Sequence, residues 1–179
     1  VIYDAADSQH VIKQVVKQMQ LDEKSFPPRS VLSAISRAKD KCQSPADMAD
    51  EALGNGDFRM EQHAKIYAEY QHQLMRSNAL DFDDIIFLTV KLLQEHEDVR
   101  RFYQRKFRYV LVDEYQDTNH MQYLLSSLLA GGYENICVVG DDDQSIYRFR
   151  GATIENILDF EKQYRGARVI RLEQNYRST

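Results

Sequence analysis

Three short apolar runs in the second half of the chain, separated by helical patterns, limit most strongly the folds that this sequence can adopt. They are the strand-like segments RYVLVD (108–113), NICVVGD (135–141) and ARVIRL (167–172). Helical patterns lie between them, over 119–132 and 153–164. Strands that alternate with helices predict a parallel sheet with helical crossovers. The carboxyl ends of such strands meet at one edge of the sheet, where ligands bind in open α/β folds.

The first half of the chain has a different pattern, because almost all of it reads as helix. Four residues are predicted to cap helices, namely Ser8, Ser30, Ser44 and Asp81. The helix after Ser30 is expected over about 31–42, and a long helix is expected over 58–76. The pattern changes near residue 107, which predicts an all-helical subdomain over 1–106 and a second part over 107–179.

The composition is that of a globular, soluble protein, with 43% hydrophobic and 28% charged residues. The net charge of −5 argues against a uniformly basic surface, although a local groove for nucleic acid is compatible with it. Cys42 and Cys137 lack the spacing of a metal site or a disulfide framework, which favours a reducing, cytoplasmic location. No apolar run approaches the roughly 18 residues that span a bilayer, so no membrane partner is expected. The chain starts at Val1 rather than at Met, so we expect it to be part of a longer protein.

Two carboxylates follow the first predicted strand. Asp113 is positioned like the residue that holds Mg²⁺ in enzymes of phosphoryl transfer. Glu114 is a candidate to orient or deprotonate an attacking water. In the alternative interpretation, both side chains only cap the helix that follows.

Polar residues also follow the second and third predicted strands. Gln144 is a neutral amide on an acidic loop, where it can contact a phosphate or simply face solvent. The segment IYRFRG (146–151) interleaves aromatic rings with arginines, a pattern that suits single-stranded nucleic acid, although the rings can equally belong to a core. After the third strand, Tyr176 and Arg177 are candidates to stack on a base and reach a phosphate.

Together these segments resemble a known family. LVDEYQDTN (111–119), VVGDDDQSIYRFRGA (138–152) and LEQNYRST (172–179) are similar to motifs II, III and IV of the UvrD/Rep/PcrA-like DNA helicases of superfamily 1. NALDFDD (78–84) resembles the segment before motif II, and the amino-terminal helices resemble the family's helical insertion. The resemblance implies an α/β fold, with a partial RecA-like parallel sheet and an amino-terminal all-helical subdomain.

The resemblance implies an ATP site with Mg²⁺. Asp113 and Glu114 would form its metal corner, in which Asp113 coordinates Mg²⁺ and Glu114 acts on the hydrolytic water. Gln144 would contact the γ-phosphate and couple it to DNA. Tyr176 would stack on the adenine, and Arg177 would stabilise charge on the γ-phosphate.

The resemblance also implies contacts with single-stranded DNA through Phe82, Tyr147, Phe149 and Arg150. Phe149 departs from the tryptophan often found at its position, so its stacking face is smaller. The implied activity is ATP-driven 3′-to-5′ stepping on single-stranded DNA with unwinding at junctions with duplex. The remaining RecA-like domains of the parent chain and accessory proteins of repair or replication are the implied protein partners.

The phosphate-binding loop of such an enzyme is missing from the 179 residues, because none of the seven glycines is followed by lysine. We therefore expect an internal piece of a helicase that is inactive when isolated. A helicase–nuclease subunit of the AddA or RecB kind is one alternative, and a non-catalytic module that binds DNA or a partner is another. The basic stretch RRFYQRKFR (100–108) is expected to be a solvated helix face, with Phe102 and Phe107 packed inward.

Overall fold

Helices make up most of the chain in the computed structural model, which describes residues 1–141, 160, 162–164 and 166–171. The helices are α1 (Ala5–Gln18), α2 (Pro28–Asp40), α3 (Pro45–Asn55), α4 (Phe58–Arg76), α5 (Phe82–Glu95), α6 (Glu97–Lys106) and α7 (His120–Ala130). The strands are β1 (Ile2–Tyr3), β2 (Leu80–Asp81), β3 (Val110–Val112) and β4 (Ile136–Val138). A short 3-10 helix, Tyr115–Asp117, follows β3. No helix in the described ranges is long and apolar enough to cross a membrane.

The strands of the described part form two small parallel sheets. β1 pairs with β2, and β3 pairs with β4 in a register that places Val110 beside Ile136. The parallel pairing of the first two predicted strands is thus confirmed, as is the α/β class. The predicted third strand is not observed, because residues 167–171 have no regular secondary structure. Val169 and Ile170 are exposed, and the segment pairs with no strand in the described part. A strand needs a neighbouring strand to accept and donate its backbone hydrogen bonds.

Two of the four predicted caps are confirmed, together with the long helix over 58–76. Ser44 and Asp81 each close a reciprocal capping box with the residue three positions on. The prediction for Ser8 is wrong, because Asp4 accepts hydrogen bonds from two amides of the first turn and Ser8 is buried inside α1. The prediction for Ser30 is also wrong, because α2 begins at Pro28, whose fixed φ suits the first helical position.

Two hydrophobic cores hold the helices together. The larger one packs α1, α2 and α4 around buried side chains such as Ile35, Tyr67 and Tyr70. The smaller one joins α5 to α7 through Phe87, Val90 and Met121. The smaller core therefore contains residues from both sides of the predicted boundary between 106 and 107. The boundary itself remains a prediction.

Exposed apolar groups in the described part include some on α6 and on the β3–β4 sheet. No residue of α6 is buried, and Phe102 is 54% exposed, so the expected inward packing of Phe102 and Phe107 is wrong. These rings contact Tyr103, and the face that α6 turns toward α5 and α7 carries the half-buried Val99, Tyr103 and Gln104 instead. On the β3–β4 sheet, Leu111 and Cys137 are paired neighbours and both are exposed.

Candidate active site at the ends of β3 and β4

Asp113 and Glu114 lie directly after β3 and are exposed to solvent. The carboxylate of Asp113 accepts a hydrogen bond of 2.9 Å from the amide of Glu114. Glu114 has a φ of 50° and a ψ of 42°, a left-handed conformation that costs a non-glycine residue roughly 1 kcal/mol. Strained backbone of this kind is often found at functional sites, where it directs a side chain. The conformation turns the chain sharply at the sheet edge.

The capping interpretation of the two carboxylates is wrong. Glu114 precedes the 3-10 helix but forms no side-chain cap. The next α-helix, α7, is capped by Asn119 in a reciprocal box with Gln122. Asp113 and Glu114 are therefore not needed to begin α7.

Gln116 holds the ends of β3 and β4 together. Its side-chain amide donates to a Glu114 carboxylate oxygen at 2.7 Å and accepts from the backbone amide of Asp141 at 3.0 Å. The amide of Tyr115 also donates to the carbonyl of Val139 at 2.9 Å. Gln116 itself is only 1% exposed, so burial holds its side chain in this position. Gln116, which the sequence pattern did not single out, thus connects Glu114 after β3 with the backbone of Asp141 after β4.

The two carboxylates fit a nucleotide-bound Mg²⁺ better than a metal cage. In the part of the chain that the structure describes, no group of three or more His, Cys, Asp or Glu side chains is arranged to hold a metal. Mg²⁺ in enzymes of phosphoryl transfer is held by one or two carboxylates and completed by phosphates and water. Adjacent, exposed Asp113 and Glu114 provide that donor set.

The other predicted site residues lie outside the described residues, except Phe82. They are Gln144, Tyr147, Phe149, Arg150, Tyr176 and Arg177. The predicted helix over 153–164 is described at only a few positions. The roles of these residues remain predictions.

Phe82 is the first residue of α5, and its side chain is 64% exposed. It lies directly after the cap Asp81 and two residues before Asp84, which completes the capping box. A large aromatic ring held in solvent at a helix start is suitable for stacking on a base.

A buried ionic cluster lies behind this helix start and was not predicted. Lys39 of α2 is 1% exposed, and its ammonium lies 2.6 Å from Asp81 and 2.8 Å from Asp84. The hydroxyl of Tyr70 donates to Asp81 at 2.9 Å, and the side chain of Gln71 donates to Asp84 at 3.0 Å. Burial raises the pKa of Tyr70, so its hydroxyl stays protonated as the donor. The one available signal was the position of Lys39, four residues after Ile35 on the apolar face of α2.

Asp40, the next residue, connects α2 to α7. The side-chain amide of Asn119 donates to Asp40 at 2.9 Å while its oxygen caps α7. Burial raises the pKa of Asp40 to about 6, and the negative charge of Asp83 adds to the shift. Lys39 and Asp40 thus connect the end of α2 with both α5 and α7.

Replacing Asp40 with asparagine is expected to stabilise the chain at neutral pH. The pKa of Asp40 rises from 3.8 to about 6 on folding, so the folded chain binds the proton of this carboxyl more tightly than the unfolded chain does. The carboxyl therefore destabilises the fold increasingly as the pH rises from about 4 to about 6. The increase in the free energy of unfolding caused by Asp40→Asn should appear between pH 4 and 6. It should reach about 1 kcal/mol at pH 7, after allowance for the partial exposure of the side chain. Urea unfolding at several pH values measures it. Asp50→Asn, at an exposed position of α3, is the control, and a gain that does not depend on pH would contradict the assignment.

Comparison with known proteins identifies the family. The family model described as UvrD/REP helicase N-terminal domain matches residues 1–165. The chain is 52% identical over 178 residues to the ATP-dependent DNA helicase PcrA of Bacillus subtilis (strain 168), an alignment that covers 99% of this chain and 24% of that protein. It is 51% identical to the protein of the same name from Staphylococcus aureus (strain Mu50), with the same coverage. The chain spans about a quarter of the length of these curated relatives. It belongs to the family of the UvrD/REP helicase N-terminal domain.

Proposed function

We propose that the chain is part of an ATP-dependent DNA helicase and supplies the metal-and-water corner of its ATP site. The observation that carries the proposal is the pair Asp113 and Glu114, exposed at the carboxyl end of β3, where Gln116 connects Glu114 to the segment that follows the parallel strand β4. The relatives reported above carry the name of a DNA helicase. That name favours a helicase over a helicase–nuclease subunit.

ATP and Mg²⁺ are the proposed cofactors, and bound Mg²⁺ neutralises charge on the phosphates. Asp113 would hold the ion, and Glu114 would accept a proton from the attacking water. Glu114 is exposed, and the side-chain amide of Gln116 restricts its carboxylate without supplying a positive charge. Gln144, Tyr176 and Arg177 are proposed to contact the γ-phosphate, the adenine and the developing charge, respectively.

The DNA side of the proposal rests on Phe82, whose exposed ring is supported by the buried cluster behind it. Tyr147, Phe149 and Arg150 would extend that surface, because aromatic rings stack on bases and arginines meet phosphates. Gln144 and Phe149 lie five residues apart, so a shift at the γ-phosphate can move the stacking ring. The whole protein would step 3′ to 5′ on single-stranded DNA and open duplex at junctions. Its other RecA-like domains and accessory proteins of repair or replication would be its partners.

The isolated 179-residue chain is expected to show no ATP hydrolysis above background, with or without single-stranded DNA. It lacks a glycine–lysine pair, so the backbone amides and the ammonium that normally bind the phosphates are missing. The measurement is release of inorganic phosphate by the purified chain and by its full-length parent, in the presence of oligo-dT. Hydrolysis by the parent alone would support the proposal. DNA-stimulated hydrolysis by the chain would contradict this part of it, and an inactive parent would contradict the helicase assignment.

A further inference from the structure

The first turn of α5 is fixed from its buried side by one lysine. Lys39 lies 42 residues earlier, on α2, and its ammonium contacts both carboxylates of the capping box. Asp84 is fully buried, and the cluster also includes the hydroxyl of Tyr70. This arrangement holds the helix start against α2 and α4 at once.

Phe82 lies between the two carboxylates that Lys39 binds. Asp81 precedes it, Asp84 follows two residues later, and the box joins their backbone amides and side chains at 2.8 and 3.1 Å. The backbone on both sides of Phe82 is therefore restrained, whereas its ring projects into solvent. A rotation of the first turn of α5 would move this ring and break the contacts of Lys39.

Stability alone does not explain a buried ionic cluster at this place. Removing two carboxylates and an ammonium from water is costly, and apolar residues of similar volume often stabilise a fold equally well or better. What such a cluster adds is a defined geometry, since its charges must meet at fixed distances. A ring that stacks on a base depends on such geometry, because binding groups need support that holds them within a fraction of an ångström.

We propose that Lys39 is a positioning residue for single-stranded DNA, acting through Asp81 and Asp84 on the orientation of Phe82. The inference rests on the proposed function, because it takes Phe82 as a DNA contact. Lys39 is buried and touches no DNA itself. Its effect on DNA binding therefore requires the ring of Phe82.

A double-mutant cycle in the full-length parent tests this dependence. Phe82→Ala is expected to weaken binding of oligo-dT by roughly 5- to 150-fold, the range for loss of one stacked base. Lys39→Met should weaken binding several-fold when Phe82 is present and should have no further effect when it is alanine. It should also raise the DNA concentration that half-saturates ATP hydrolysis while the rate at saturating DNA stays the same.

Ile35→Ala is the matched control for a purely structural effect. Ile35 is fully buried on the same helix, one turn before Lys39, and it carries no charge. Its truncation destabilises the core, and it should leave the affinity of the folded protein for DNA unchanged. All binding is measured well below the melting temperature of each variant.

The outcomes separate the inference from the proposed function. If Phe82→Ala leaves DNA affinity unchanged, the DNA contact itself is wrong. If Phe82→Ala weakens binding, but Lys39→Met weakens it by the same factor whether residue 82 is phenylalanine or alanine, only the role of Lys39 is overturned. If Lys39→Met does not fold, Tyr70→Phe replaces it in the same cycle, because it removes one hydrogen bond to Asp81 and no charge. If Tyr70→Phe weakens DNA binding by the same factor with phenylalanine and with alanine at position 82, the inference is also overturned.

Discussion

Replacing Glu114, the proposed general base, with glutamine in the full-length parent is expected to lower DNA-stimulated ATP hydrolysis by about 100-fold or more, the usual contribution of such a group. Glutamine has nearly the same shape, and its carbonyl can still accept the hydrogen bond of Gln116. The side chain should therefore stay in place and lose only its ability to take a proton from water. Nucleotide binding should be preserved, because the proposed metal ligand Asp113 is unchanged. Steady-state hydrolysis and binding of a non-hydrolysable ATP analogue measure the two effects separately.

The chain offers a closely matched control at Glu134. This residue is also an exposed glutamate with a left-handed backbone, with a φ of 54°, and it lies in the turn before β4 rather than at the sheet edge. Glu134→Gln makes the same chemical change in the same backbone conformation and should leave hydrolysis unchanged. Equal losses in both variants would show that Glu114 acts on the fold and not on the water.

Replacing Lys39 with methionine is expected to destabilise the fold by about 3–5 kcal/mol, the usual cost of removing one partner from a buried ion pair. The variant leaves the carboxylates of Asp81 and Asp84 buried without a cation. Whole domains are stable by only about 5–15 kcal/mol, so this chain is expected to be marginally folded or unfolded. Urea unfolding followed by circular dichroism measures the loss. Adding Asp81→Asn and Asp84→Asn should recover most of it, because the uncompensated charges disappear.

Lys65→Met is the control, because its ion pair has the same length in a different environment. The ammonium of Lys65 lies 2.6 Å from Glu61, as that of Lys39 does from Asp81, but the side chain of Lys65 is mostly in solvent. Exposed pairs of this spacing contribute about 0.3–0.5 kcal/mol. A similar loss in Lys39→Met and Lys65→Met would show that burial does not govern the contribution of Lys39.

Local signals allowed a good part of the fold to be predicted. The caps Ser44 and Asp81 were predicted correctly because each lies beside a strong helix pattern and has an acidic residue three positions on. The caps Ser8 and Ser30 were wrong because better starts, Asp4 and Pro28, lie a few residues earlier. A serine near a helix start competes with neighbouring residues for the capping position. The helix begins at the residue that lets its apolar face pack against the core.

The site was predictable only where its residues are close in sequence. Asp113 and Glu114 follow a strand directly, so their place at a sheet edge could be inferred. The contacts of Lys39 with Asp81 and of Asp40 with Asn119 join residues 42 and 79 positions apart. No local pattern encodes such pairs, because they depend on how whole helices pack.

The end of α2 also limits how this chain can be recombined with its relatives. Lys39 and Asp40 face partners in two other segments, the start of α5 and the cap of α7. A chimera that takes α2 from a relative with other residues at these positions, and keeps the rest, would leave the carboxylates of Asp81 and Asp84 and the side-chain amide of Asn119 without these partners. Exchange of α2 or of the helices around it should therefore succeed only when residues 39–40, 81–84 and 119 are transferred together, and a crossover point placed between these positions would separate them.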